Sequence, residues 1–170
     1  DWGNRELLCF LLPLWYNPNK VVINMDTKEI LLELRTKRGL SQEQLAEQVH
    51  VTRQAVSRWE TGETVPNTET LKLLSRLFDV SINTLLGSPR QLICQCCGMP
   101  LEDSVLSREP DGSLNEEYCK WCYTEGKFAY SSLEELLDFL EGTMSNESWT
   151  PEQVRTYLQG YLPQLKHWKE

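Results

Sequence analysis

Between Met25 and Ser88 the apolar residues recur at helical spacing. Ile30, Leu31 and Leu34 form an i, i+1, i+4 stripe, the pattern of a helix with one buried face. Thr27 is placed to cap that helix, and Arg35, Lys37 and Arg38 load its C-terminal end, where the helix dipole favours cations. Gly39 stops it. Ser41 and Gln44 have the spacing of a capping box for a second helix. After a tight turn at His50 and Val51, Thr52 caps a third helix that ends near Gly62. Pro66 and Asn67 interrupt the pattern. A fourth helix is predicted over 68–78 with Leu71, Leu74, Leu77 and Phe78 on one face, and Ser81 caps a fifth carrying Ile82, Leu85 and Leu86.

The pattern changes at Gly87-Ser88-Pro89, and residues 89–92 read as a linker. Beyond it, 93–170 form a second module. It ends in two amphipathic helices. The first, near 132–141, is capped by Ser131 with Glu134 and carries Leu133, Leu136, Leu137 and Leu140. The second starts at Thr150, Pro151 and Gln153, with proline at the favoured first helical position, and carries Val154, Leu158, Leu162 and Leu165 until Pro163 ends or kinks it. These leucines read as core, with any exposed remainder available as a dimer seam. Residues 1–24 look foreign to the rest. Leu7 to Trp15 is apolar but short, with no basic flank before it and no small-residue cleavage site after it, which argues against a secretory signal. Met25 is the expected biological start, and the preceding residues a non-native or disordered extension; an arm packed on a partner is the alternative.

Composition sharpens this picture. The chain has 170 residues, 40% of them hydrophobic, and 17 basic against 25 acidic side chains give a net charge of −8. No apolar run approaches the roughly 18 residues that suggest a membrane span, so the expected setting is the cytoplasm. A net negative charge argues at first against a nucleic-acid partner. The charge is uneven, however. Residues 25–88 hold eight cations and nine anions, whereas 89–170 hold seven and fourteen. The acidity belongs mostly to the second module.

Two short helices around the turn at 48–51 suggest a DNA-reading unit. Ala46 is small where the helices approach, and Val49, Val51, Val56 and Trp59 are the core types. The interleaved positions of the second helix are Arg53, Gln54, Ser57 and Arg58, side chains that can address base edges and phosphates. The segment GLSQEQLAEQVHVTRQAVSRWETGETVPNTETLKLLSRLFDVSINTLLG, Gly39 to Gly87, resembles the XRE, or lambda-repressor/Cro-like, helix-turn-helix family, and the likeness extends over 28–86. The resemblance implies five helices with the third in the major groove. It implies phosphate contacts at Gln42 and Thr52, base reading by Arg53, Gln54 and Ser57, and a backbone contact at Arg58. The turn commonly has glycine where this chain has His50, which requires a left-handed backbone at a histidine. A bundle serving only protein contacts is the alternative reading.

Six cysteines stand at 9, 94, 96, 97, 119 and 122. Cys94-x-x-Cys97 and Cys119-x-x-Cys122 have the spacing of two knuckles closing a tetrahedral zinc site, and Gly98 suits the tight turn after the first pair. Four thiolates leave no open position, so one structural ion is expected. Disulfides or four reduced thiols are the alternatives. Cys96 is either a free thiol or a substitute ligand, and Trp121 and Tyr123 are expected to pack on the site. The motifs CQCCGMPL from Cys94, DGS at 111–113, EEYCKWCYTEGKF from Glu116 and LPQLKHW from Leu162 resemble a zinc-ribbon domain family of bacterial regulators over 93–169. The family often has a small polar residue at the place of Cys96 and arginine at that of His167.

The predicted fold is therefore mainly α: a five-helix lambda-repressor-like DNA-binding domain plus a small zinc ribbon of short β-strands with C-terminal helices. The predicted function is a sequence-specific transcriptional regulator that binds a double-stranded operator, as a homodimer, with the zinc module serving assembly or signal input. Alternatives are a metal- or redox-responsive sensor using the cysteines, and an antitoxin-like or scaffold protein that engages another protein through the acidic C-terminal half. No nucleophile-base constellation, phosphate-binding glycine loop or open metal site points to an enzyme.

Overall fold

The computed structural model describes residues 25–87 and 91–169. The extension expected over 1–24, with Cys9, and part of the 89–92 linker lie outside the described residues. Two compact units are present: one carries the five N-terminal helices together with Arg108–Asn115, the other Leu92–Ser107 and the chain from Glu116 onward.

The helices of the first unit are α1 (Thr27–Lys37), α2 (Gln42–Gln48), α3 (Arg53–Thr61), α4 (Thr68–Phe78) and α5 (Ile82–Leu85). Four begin at a side-chain cap. Ser41, Thr52, Asn67 and Ser81 each accept a hydrogen bond from the backbone N–H three residues on. The first cap differs from the predicted Thr27. Asp26 takes the position, because Glu29 stands three residues after it and its carboxylate accepts the Asp26 N–H at 3.1 Å. His50 adopts the left-handed backbone with φ 56°, as the turn required. Leu31, Leu45, Val49, Val56, Trp59, Leu74, Phe78 and Leu85 form one buried cluster, with Val51 partly buried against it. The unit's ends also meet. A Cβ on Gly87, where φ is +63°, would stand 2.1 Å from the Met25 carbonyl oxygen.

An ion pair is almost wholly removed from solvent among these helices. Glu60 on α3 is only 6% exposed and Arg35 on α1 only 12%. The guanidinium engages the carboxylate through both oxygens, at 2.5 and 3.0 Å, and also donates to the Leu40 carbonyl at 2.7 Å. The Gln42 amide at the start of α2 donates to the same carboxylate at 2.8 Å. Bonding to Glu60 raises the Arg35 pKa further, against the opposing effect of burial.

Three two-stranded ribbons follow the five helices: β1 (Leu92–Ile93) with β2 (Pro100–Leu101), β3 (Leu106–Arg108) with β4 (Leu114–Cys119), and β5 (Tyr123–Thr124) with β6 (Lys127–Phe128). In the first, Leu92 faces Leu101 and Ile93 faces Pro100; in the third, Tyr123 faces Phe128. Helices α6 (Leu133–Met144) and α7 (Pro151–Tyr161) follow and pack on each other, burying Leu136, Leu137, Val154 and Leu158. Ser132, not the predicted Ser131, caps α6; Ser131 instead donates from its N–H and hydroxyl to Glu135. Thr150 caps α7 in a capping box with Gln153, and the α-helix ends before Pro163, which lies in a 3-10 turn, Leu162–Gln164. Arg155 bonds Glu134, Asp138 and Glu141 across the hairpin. No helix among the described residues is long and apolar enough to cross a membrane.

Replacing Arg35 alone should be costly, because it leaves the Glu60 carboxylate buried with fewer partners. Arg35→Met is expected to destabilise the helical unit by about 2 kcal/mol. The double variant with Glu60→Leu should recover part of that loss, since no buried charge remains. Urea unfolding of the full chain, followed by circular dichroism, checks both values.

Candidate metal centre and nucleic-acid interface

The sulfur atoms of Cys94, Cys97, Cys119 and Cys122 all lie within 4.8 Å of one another. Local structure explains how two distant pairs converge. Around the first pair, the Cys94 N–H donates to the Met99 carbonyl and the Gly98 N–H to the Cys94 carbonyl, each at 2.8 Å, which closes a tight knuckle. Gly98 sits in it with φ +79°. The second pair begins on the last residue of β4, and the Cys122 N–H donates to the Cys119 carbonyl at 3.0 Å. The Cys119 N–H points at the Cys94 sulfur, 3.3 Å away, and so joins the two knuckles.

This donor set fits a tetrahedral ion. Zinc–thiolate bonds near 2.3 Å place the sulfurs of such a site roughly 3.8 Å apart, and Cys97 and Cys119 are 3.9 Å apart. All four are unbridged thiols, which disfavours the disulfide alternative. Their protonation is mutually dependent. Hydrogen bonding to Cys119 first, then to the other sulfurs, holds the Cys94 thiol far below the usual range, while contact with Cys119 pushes Cys97 and Cys122 up. Four thiolates cannot share so small a space without a compensating proton or cation, which is the chemistry of a metal site that exchanges protons for its ion.

Cys96 lies beside this set, its thiol bonded to Cys122. It is fully buried yet is not a member of the four-sulfur group. Tyr123 packs against other rings, its centroid 5.6 Å from that of Tyr118 and 5.0 Å from that of Phe128. Trp121 does not: it is 50% exposed, with the Lys120 ammonium 5.0 Å from its ring.

On the helical unit, the residues singled out for DNA contact gather at α2 and α3. Thr52, Arg53, Gln54 and Arg58 are exposed and Ser57 is half-buried. Thr52 also accepts the Ala55 N–H at 3.2 Å. Val56 and Trp59 anchor the opposite face of α3 in the core. Arg53 and Gln54 make no hydrogen bond or ion pair among the described residues, whereas Arg58 lies 3.8 Å from Glu63. Gln42 is half-buried, its side chain turned to Glu60. The sequence reading missed Arg35 and Glu60 as a pair. The available signal was an acid beside a core tryptophan, in a helix whose other ionic groups lie on the outer face.

Residues 31–85 match the family described as "Helix-turn-helix", and residues 93–169 match "Putative zinc ribbon domain". The HTH-type transcriptional activator BcrR of Enterococcus faecalis is 52% identical over 63 residues, 37% of this chain and 31% of that protein. The SPbeta prophage-derived uncharacterized HTH-type transcriptional regulator YonR of Bacillus subtilis (strain 168) is 38% identical over 58 residues, 34% of this chain and 54% of that one. The chain thus spans about a third to half the length of these relatives. The P22 c2 repressor crystallised with synthetic operator 9T aligns with a TM-score of 0.36 and 35% identity, over 36% of this chain and 94% of that one.

Two glycines test the packing of the first knuckle. Both Gly98 and Gly112 have positive φ, but only at Gly98 would a Cβ meet another group, the Tyr161 ring at 2.4 Å. Gly98→Ala is expected to lower stability more than Gly112→Ala, by about 1–3 kcal/mol. Thermal unfolding of the two variants checks the difference.

Proposed function

We propose that this chain, an XRE-type helix-turn-helix domain joined to a zinc ribbon, is a DNA-binding transcriptional regulator in which α3 reads the operator and the ribbon holds one structural zinc ion. The observation that carries the reading is the division of α3 into two faces. Val56 and Trp59 fix the helix to the core, while Arg53 and Gln54 stand exposed and unengaged. A relative 52% identical over 63 residues is named an HTH-type transcriptional activator, and the helix-turn-helix match covers residues 31–85.

The chemistry follows from the side chains. Arginine can donate two bonds to guanine O6 and N7, and glutamine can pair with adenine N6 and N7, so Arg53 and Gln54 suit direct readout in the major groove. Ser57 is short enough for a base edge at closer approach. Thr52, Arg58 and the first turn of α2 at Gln42 suit phosphate contacts, which set position and register. The Arg35–Glu60–Gln42 group ties α1, α2 and α3 together and so holds readers and positioners in one geometry. The near neutrality of 25–88 is compatible with this, because the number of phosphate contacts rather than net charge sets the salt dependence. Binding as a dimer in the cytoplasm is part of the proposal.

Cys94, Cys97, Cys119 and Cys122 would hold the zinc ion. When bound, zinc supplies a cross-link between the two knuckles and hence folding energy for a unit whose strands are very short. With four protein thiolates around it, the ion has a structural rather than a catalytic role.

Gel-shift titration of the full chain on its own promoter region tests the reading. Arg53→Ala with Gln54→Ala should weaken specific binding by tenfold or more, at about 1–3 kcal/mol per lost bidentate contact. Arg58→Ala should weaken all sequences alike and reduce the salt slope by about one. Equal affinity of the wild type and the double variant refutes the assignment of α3. Metal analysis of the purified chain should find one zinc per chain, and chelation should remove the ribbon's tertiary signal while leaving the helical unit folded.

A further inference from the structure

The C-terminal end of the described chain is bonded to the first knuckle. A short 3-10 turn, Lys166–Trp168, follows α7. Gln95 and Cys96 occupy the two positions between Cys94 and Cys97, and three hydrogen bonds reach them from this turn. The Gln95 carbonyl accepts the His167 N–H at 3.1 Å, its side-chain oxygen accepts the Lys166 N–H at 3.3 Å, and the Cys96 carbonyl accepts the Trp168 indole N–H at 2.8 Å. Apolar contacts reinforce them. Leu162 and Leu165 are buried just before the turn, and Tyr161 closes on Gly98 just after the first pair. The His167 ring lies 4.0 Å from that of Phe128 and 6.1 Å from that of Tyr118, the neighbour of Cys119. One turn therefore touches the surroundings of both cysteine pairs.

A knuckle holds its sulfurs in position only as well as its backbone is held. Gln95 and Cys96 link the two cysteines of the first pair in sequence, so bonds to their carbonyls restrict the loop that must present those sulfurs. Outer-shell partners of this kind typically change metal affinity by about 10–100-fold when removed. We propose that the Lys166–Trp168 turn is an outer-shell element of the metal centre. Trp168 and Gln95 are its positioning residues, and metal occupancy and docking of the turn stabilise each other. This rests on the zinc reading given above. By linkage the effect is reciprocal: whatever holds the turn in place tightens the metal, and whatever displaces it loosens the metal by the same factor. The pair between Lys166 and Glu117, at 2.6 Å, is exposed on both sides and contributes little to the coupling.

The test uses the full chain and zinc itself, measured by competition with a chromophoric chelator. Zinc binding by the wild type comes first; its absence refutes the zinc reading and is distinguishable from failure of the coupling. Trp168→Phe keeps an aromatic ring and removes the indole donor, and Gln95→Ala removes one acceptor. Each is expected to weaken zinc about tenfold, while Lys166→Met stays within about twofold of the wild type. In the wild type, the Trp168 indole proton should exchange slowly with zinc bound and quickly after chelation, as read by NMR. The proposal is overturned if Trp168→Phe and Gln95→Ala bind zinc as the wild type does. It is also overturned if Lys166→Met loses as much affinity as they do, or if the indole exchange rate is the same with and without metal.

Discussion

The contact on which the helical unit turns is the bond between the Arg35 guanidinium and the Glu60 carboxylate. Both side chains are almost wholly removed from solvent, where an unpaired charge would be unfavourable. They are tolerated because nearly every polar atom is used: two bonds to the carboxylate, one to the Leu40 carbonyl and one from Gln42. Apolar packing alone would let α1 and α3 slide over each other at modest cost. A planar, two-point bond does not. It sets the rotation of α3 about its own axis, and that rotation decides which side chains face outward.

The ribbon solves a different problem with different means. Its strands are two to six residues long, too short to form a sheet that buries a continuous core. Four sulfurs brought within 4.8 Å take the place of that core at one end. At the other end the α6–α7 hairpin supplies leucines and valine, with Arg155 bonded to three acidic residues on its surface. The acidity of this half of the chain is thus partly internal balance around one arginine.

Much of this was legible in the chain itself, and the reasons are local. Ser41, Thr52 and Ser81 marked the starts of α2, α3 and α5 because they sit directly before helical apolar periods, while Asn67, legible only as an interruption, caps α4. The spacing of the paired cysteines pointed to the four-sulfur cluster, since a knuckle is a local structure. The first cap went to Asp26 instead of Thr27, and that of α6 to Ser132 instead of Ser131, because neighbouring polar residues compete and the winner depends on which carboxylate reaches back. Features that depend on tertiary contact were not readable. Arg35 looked like a helix-end cation because its partner lies 25 residues away. Trp168 and Cys96 are 72 residues apart. Composition does not register the exposure of Trp121 between two buried cysteines.

The close approach of Met25 to Gly87 has a consequence for how the helical unit fits into a longer polypeptide. The five-helix segment begins and ends at one place. A folded unit with adjoining ends can be spliced between other segments without stretching either flank, and its order of helices can be permuted by joining those ends. The positive φ of Gly87 is then a hinge in the genetic sense as well as the conformational one: it lets five helices behave as a single removable cassette, whatever is attached on either side.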